Sequence, residues 1–208
     1  MKPVSDFFSR VLPYLPGCSE PLVAEAIVDA AIMFCEDSHV IRPTLDIITT
    51  VEGVGTYDLL PPNQQLIGRV MRVWLGQQEI RVLPTKQSPL TASGSGMPSW
   101  VTTARDGQTM QLRMACPTDK AYELLVEVST RPTRGASTLE DDLLNYWADA
   151  VCAGAFARLM GVPNQPFSNP GGAMAQAAWF AYLTRKAKAE GDKGRTLSSL
   201  TVRPRPLA

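Results

Sequence analysis

Residues 51–84 read VEGVGTYDLLPPNQQLIGRVMRVWLGQQEIRVLP. Gly53, Gly55 and the Pro61-Pro62 pair punctuate the start of this stretch and argue against a helix there. Further on, Leu66, Val70, Val73, Trp74 and Leu75 sit among Arg69 and Arg72. The polar turn Gly76-Gln77-Gln78 then leads into Ile80, Val82 and Leu83. The segment is a compact β unit with two turn signals, and it holds no pattern of residues that performs chemistry.

Working outward, a period of two extends from Arg42 to Arg131. Leu45, Ile47, Thr49 and Val51 alternate ahead of the unit, and a Ser-, Gly- and Pro-rich loop follows it from Ser88 to Ser99. Trp100–Ala104 and Gln108–Met114 flank Asp106-Gly107, a two-residue hairpin signal, and Tyr122–Thr130 reads as a last strand. About six short strands separated by turns predict an antiparallel sheet or small sandwich.

Helical period lies on both sides. Val4, Phe7, Phe8, Val11 and Leu12 form a short amphipathic helix after Pro3. Ser19 is the expected N-cap of a second helix, with Pro21 in its first turn and a stripe of Leu22, Val23, Ala26, Ile27, Ala30, Ala31, Phe34 and Cys35. Thr138 is the expected N-cap of a third, which carries Leu143, Trp147 and Val151 among many alanines until Gly161 and Pro163. Asn169-Pro170 opens a fourth, with Met174, Ala177, Ala178, Phe180 and Leu183 as its apolar positions and an end near Glu190. Beyond Gly191 the chain is polar, basic and broken by prolines, which reads as an extended arm. The expected class is therefore α+β. Residues 1–41 and 134–190 form one helical domain, 42–133 an inserted antiparallel β domain, and 191–208 an extended C-terminal arm.

The chain has 208 residues, 45% of them hydrophobic and 19% charged, with a formal net charge of zero. That balance excludes a global field recruiting nucleic acid or an acidic membrane. The charge is unevenly spread: from Arg185 onward, Arg185, Lys186, Lys188, Lys193, Arg195, Arg203 and Arg205 face only Glu190 and Asp192. The tail therefore carries about +5 and the rest about −5. Cys18, Cys35, Cys116 and Cys152 are scattered without a CxxC pair; three of them lie within apolar runs and read as small buried hydrophobes, and a reducing compartment is the easier reading. The first residues lack a signal peptide's apolar stretch, and no run approaches the length needed to span a membrane.

Candidate chemistry is sparse. Cys35 and His39 are spaced to share a helix face as two metal ligands, but His39 is the single histidine and no further ligand lies nearby. That scarcity also argues against a Ser-His or Cys-His mechanism. Glu140, Asp141 and Asp142 are explained by the first turn of a helix, where negative charge meets the dipole. Ser93-Gly94-Ser95-Gly96 lacks the Lys and the following helix of a phosphate loop. No catalytic residue, cofactor or metal is expected. Arg69, Arg72 and Arg81 alternate with apolar residues and read as a solvated strand face, or as a lumen or interface face within a ring.

The chain resembles the head-to-tail connector (adaptor) proteins of tailed bacteriophages. The resemblance rests on GTYDLLPP followed by LIGRVMRVWLGQQEI, and on the helical ending LEDDLLNYWADAVCAGAFARLMGVPNQPFSNPGGAMAQAAWFAYLTRKAKAE. It implies a non-enzymatic virion subunit, assembled in the host cytoplasm and placed at the head–tail junction. It further implies a homo-oligomeric, dodecameric ring contacting the portal protein and a downstream tail or nozzle protein. DNA would pass through the ring's channel without sequence-specific binding, with no membrane involved. Portal or neighbour contact is expected from Arg195, Leu197, Leu200, Val202, Arg203, Arg205 and Leu207 of the arm, because such segments gain order on a partner. Another tail-completion or tail-tube protein is the nearest alternative, and a small-ligand-binding α+β domain or enzyme the more distant one.

Overall fold

The computed structural model describes residues 1–84, 94–106 and 109–193. In chain order the elements are β1 (Lys2–Pro3), α1 (Phe8–Val11, between two 3-10 turns), α2 (Glu20–Ser38), β2 (Ile48–Thr49), β3 (Thr56–Leu59), β4 (Gln65–Leu75) and β5 (Gln78–Leu83). They continue with β6 (Trp100–Asp106), β7 (Thr109–Met114), β8 (Glu123–Pro132), β9 (Thr138–Leu139), α3 (Asp141–Asn145), α4 (Ala148–Met160) and α5 (Pro170–Asp192). Helices and a curled mixed sheet make this an α+β fold.

Ser19 and Pro21 start α2 where expected, and Val23, Ala26, Ile27, Ala30, Ala31, Phe34 and Cys35 of its stripe are buried, whereas Leu22 is exposed. His39 ends the helix in the left-handed region (φ 50°), its N–H donating to the Cys35 carbonyl at 3.0 Å. The α2 stripe packs with Phe7, Val11, Leu143, Trp147, Val151 and Ala155, so helices from both ends of the chain share one apolar core. Fully burying each such large side chain stabilises the fold by roughly 1.5–3 kcal/mol. At its centre Gly154 of α4 touches both neighbours: a Cβ there would lie 2.8 Å from the Ala30 Cβ and 2.9 Å from Phe180.

Two helical expectations are corrected. Thr138 does not cap a helix; it pairs with Pro3 in the small β1–β9 sheet, and α3 begins only after Glu140. Backbone pairing with the N-terminal strand takes Thr138 first. The expected single helix is also broken, since Trp147 sits outside helical geometry (ψ 16°) between α3 and α4 while remaining buried.

The seven-stranded sheet has the order β2-β8-β4-β5-β6-β7-β3, and its inner face holds Ile67, Val70, Val73, Leu75, Leu112, Leu124 and Val126. Among the described residues the pairings are antiparallel except β5–β6, which runs parallel with Val82 opposite Val101. The expectation of a wholly antiparallel sheet fails there because the connection 84–99 is long enough to carry the chain back to the starting end. The β4–β5 turn falls on Gly76-Gln77, and Gly76 has φ 60°, which glycine adopts without strain. Ahead of the sheet, Leu45 is buried but Ile47 and Val51 are exposed, so the alternation read over 45–51 does not persist as one strand. Instead 41–45 lies irregularly along β8, with Leu45 N donating to Val126 O and Val128 N to Pro43 O.

Candidate functional site

The positions that invite a catalytic reading have structural surroundings. His39 Nδ1 lies 3.1 Å from Ser129 Oγ, bridging the end of α2 to β8. Burial holds its pKa below the ordinary histidine value, and the nearby Arg69, Lys188 and Arg42 charges act in the same direction. Cys35 is buried in the helical core, and burial, helped by Glu140 and Glu36, pushes its thiol up to about 12. Burial likewise pushes Cys152 up to about 11. Both thiols are therefore protonated packing groups rather than nucleophiles. Glu140 accepts a hydrogen bond from Gln65 Nε2, tying the entry of α3 to β4. Among the described residues no group of three or more His, Cys, Asp or Glu side chains converges as a metal site.

Arg69, Arg72 and Arg81 are exposed on the sheet. Bulges between Ile67 and Arg69 and between Val70 and Arg72 let both Arg69 and Arg72 face outward while Val70 stays buried. Arg72 lies opposite Glu127 on β8. The β4–β5 register, with Val73 opposite Ile80, brings Arg81 next to Arg72, whereas Arg69 lies beside His39 across β8. The three therefore form one pair and one separate residue, not a single cluster. The arm residues Arg195, Leu197, Leu200, Val202, Arg203, Arg205 and Leu207 lie outside the described residues.

Reading the sequence alone misses the outer face of α5. The Asn169 side chain caps this helix, accepting from Gly172 N at 3.0 Å. Arg42 holds its far end, donating to Gly191 O at 3.1 Å and pairing with Asp192 at 2.9 Å, so the helix runs beyond the expected Glu190. Only Ala173, Thr184 and Ala187 of α5 are buried. Met174, expected in the stripe, is 77% exposed; Trp179 is 49% and Tyr182 56% exposed, and Ala177 and Ala178 are exposed too. The rings of Trp179 and Tyr182 stack at 5.2 Å between centroids. Beside them a groove of about 550 Å³ opens between α1, α4 and α5, lined by Tyr14, Phe156, Met160 and Trp179, with Arg10 and Asp149 at 3.5 Å across it. The signal for this surface was present in α5: its first half, Met174 to Leu183, is apolar around most of its circumference and cannot satisfy every side against one core.

These surfaces suit binding rather than chemistry. No match is found among curated proteins. The model of the family described as SU10 adaptor protein matches residues 3–205, nearly the whole chain. No helix among the described residues is long and apolar enough to cross a membrane. The chain belongs to the SU10 adaptor protein family, and with it to the phage head-to-tail adaptors, which gives it a structural role.

Proposed function

We propose that the chain is one subunit of a ring at the head–tail junction of the virion, seated on the portal, contacting a downstream tail or nozzle protein and leaving a channel for DNA. The observation that carries this reading is the large exposed aromatic and methionine face of α5 on a member of an adaptor family. A monomer rarely leaves such a patch in water, and assembly covers it. The neutral net charge suits DNA that passes through without sequence-specific binding. A structural family and protonated core thiols favour a non-enzyme.

Within this reading residues 1–41 and 134–190 act as the helical domain, 42–133 as an inserted β domain and the arm as a portal or neighbour contact. Arg72 and Arg81 lie on a sheet face that would meet a lumen or an acidic partner. The test is electron microscopy of portal-bearing heads with and without added full-length protein. A closed ring of density below the portal supports the reading; a polymeric tube favours a tail-tube protein, and unchanged heads refute adaptor function.

A further inference from the structure

We propose that the outer face of α5 on one copy of the chain docks onto the outer face of α2 on the next copy, as a heterologous helix-to-helix joint. The joint rests on the ring reading above and names the surfaces that close it.

On α5, Met174, Ala178 and Tyr182 follow one another every fourth residue with Trp179 alongside, and the same face continues into Arg185 and Lys186. It is apolar in its first half and basic in its second. On α2, the exposed positions Leu22, Glu25, Met33 and Asp37 recur at helical spacing, with Met33 half exposed. That face mixes apolar side chains with acids. Among the described residues Glu25, Asp37 and Arg185 have no ion-pair partner, and Lys186 has only Glu190 at 3.9 Å. Asp29 and Glu36 lie within the same α2 face but are already engaged by Arg158 at 2.6 Å and Arg131 at 3.0 Å, which leaves Glu25 and Asp37 as its unpaired acids. An apolar and basic face on α5 and a mixed apolar and acidic face on α2 thus stand on the same chain, each with charges left unpaired among the described residues.

A single copy cannot bring them together. α2, α4 and α5 meet around Gly154, where Ala30 and Phe180 both approach it, so the outer faces of α2 and α5 point away from a common axis. A second copy can supply what each face lacks. A pairing of α5 with α5 would leave the acids of α2 unmatched. Repeated head to tail, such a joint builds a ring when its rotation closes. Trp, Tyr, Met and Arg are the residue types enriched at the centre of protein interfaces, and an amphipathic helix reads its partner through anchors spaced in this way.

The experiment places the photo-crosslinking residue p-benzoylphenylalanine at Tyr182 of the full chain, which is exposed and outside both cores. Irradiation is carried out on the protein alone over a range of concentrations and again after addition of portal-bearing heads, with products mapped by peptide mass spectrometry. The expected product joins position 182 to residues 22–37 of another copy. Arg185→Glu with Lys186→Glu should abolish most of it, and adding Glu25→Lys with Asp37→Lys in the same chain should restore it. Attachment to α5 of the second copy, to residues 194–208 or only to another protein overturns the joint. So does a charge-swapped chain that stays uncrosslinked, or the absence of intermolecular product in both settings. If heads still acquire a ring without the expected product, the ring reading stands and the joint is wrong. If the product forms but heads never acquire the protein, the joint stands and the adaptor placement fails.

Discussion

Trp147 sits at the break between α3 and α4, its ring 5.6 Å from that of Phe34, and it is only 6% exposed. Trp147→Ala opens a cavity in the helical core and should cost roughly 3–5 kcal/mol in urea unfolding. Its indole Nε1 is buried without a partner, so Trp147→Phe, which deletes that donor, should cost clearly less than Ala. Gly154→Ala is a change in the opposite sense. The added methyl gains helix propensity but meets the Ala30 Cβ at 2.8 Å, an atom fixed by its own backbone, and a net loss of about 1–3 kcal/mol is expected. His39 gives the pH dependence. Its folded pKa lies below the unfolded value of about 6.5, so the unfolded chain binds the extra proton first. Stability contributed by the neutral ring is therefore present above that value and is lost as pH falls through it toward the folded pKa. His39→Asn, which keeps a residue tolerant of the left-handed backbone, should flatten urea midpoints measured between pH 8 and 5.

At the scale of elements, α5 is capped at its start by Asn169 and tied at its far end by Arg42. The Arg42 guanidinium joins the His39 carbonyl at 2.7 Å, the Gly191 carbonyl and the Asp192 carboxylate, linking the exit of α2 to the last turn of α5. Arg42→Ala should destabilise by roughly 1–2 kcal/mol, moderated by the exposure of Asp192. Hydrogen exchange should quicken at 189–192 while the amides of α4 keep their protection. A uniform change across all helices would show instead that Arg42 supports the whole core. The β4–β5 hairpin was legible in the sequence because Gly76 and the alternation of Val73, Leu75, Ile80 and Val82 each point to the same register. The segment 45–51 was not, because its apolar pattern is local, whereas its path is set by where β8 offers backbone partners.

At the scale of the molecule, one core gathers helices from both ends of the chain and the other lies inside the sheet. Among the described residues, the buried members of both cores end at Ala187 of α5. Truncation after Lys193 should therefore leave a folded subunit, checked by an unchanged urea midpoint, that no longer attaches to portal-bearing heads. Normal attachment of the truncated chain would remove the arm from the contact and leave the joining to the helical faces.

The change of period near Arg42 and again near Thr138 already separated helix from strand, and the lone histidine and scattered cysteines already argued against catalysis. These follow from local chemistry: backbone propensity, side-chain periodicity and the ligands a site needs. Three features came only from the tertiary structure. Thr138 became a strand because the N-terminus supplied a partner, and β6 lay parallel to β5 because a long connection allowed it. The outer half of α5 stayed in water because α2 and α4 cover only one side of it. In each case the deciding neighbour is remote in sequence, so no window along the chain contains it.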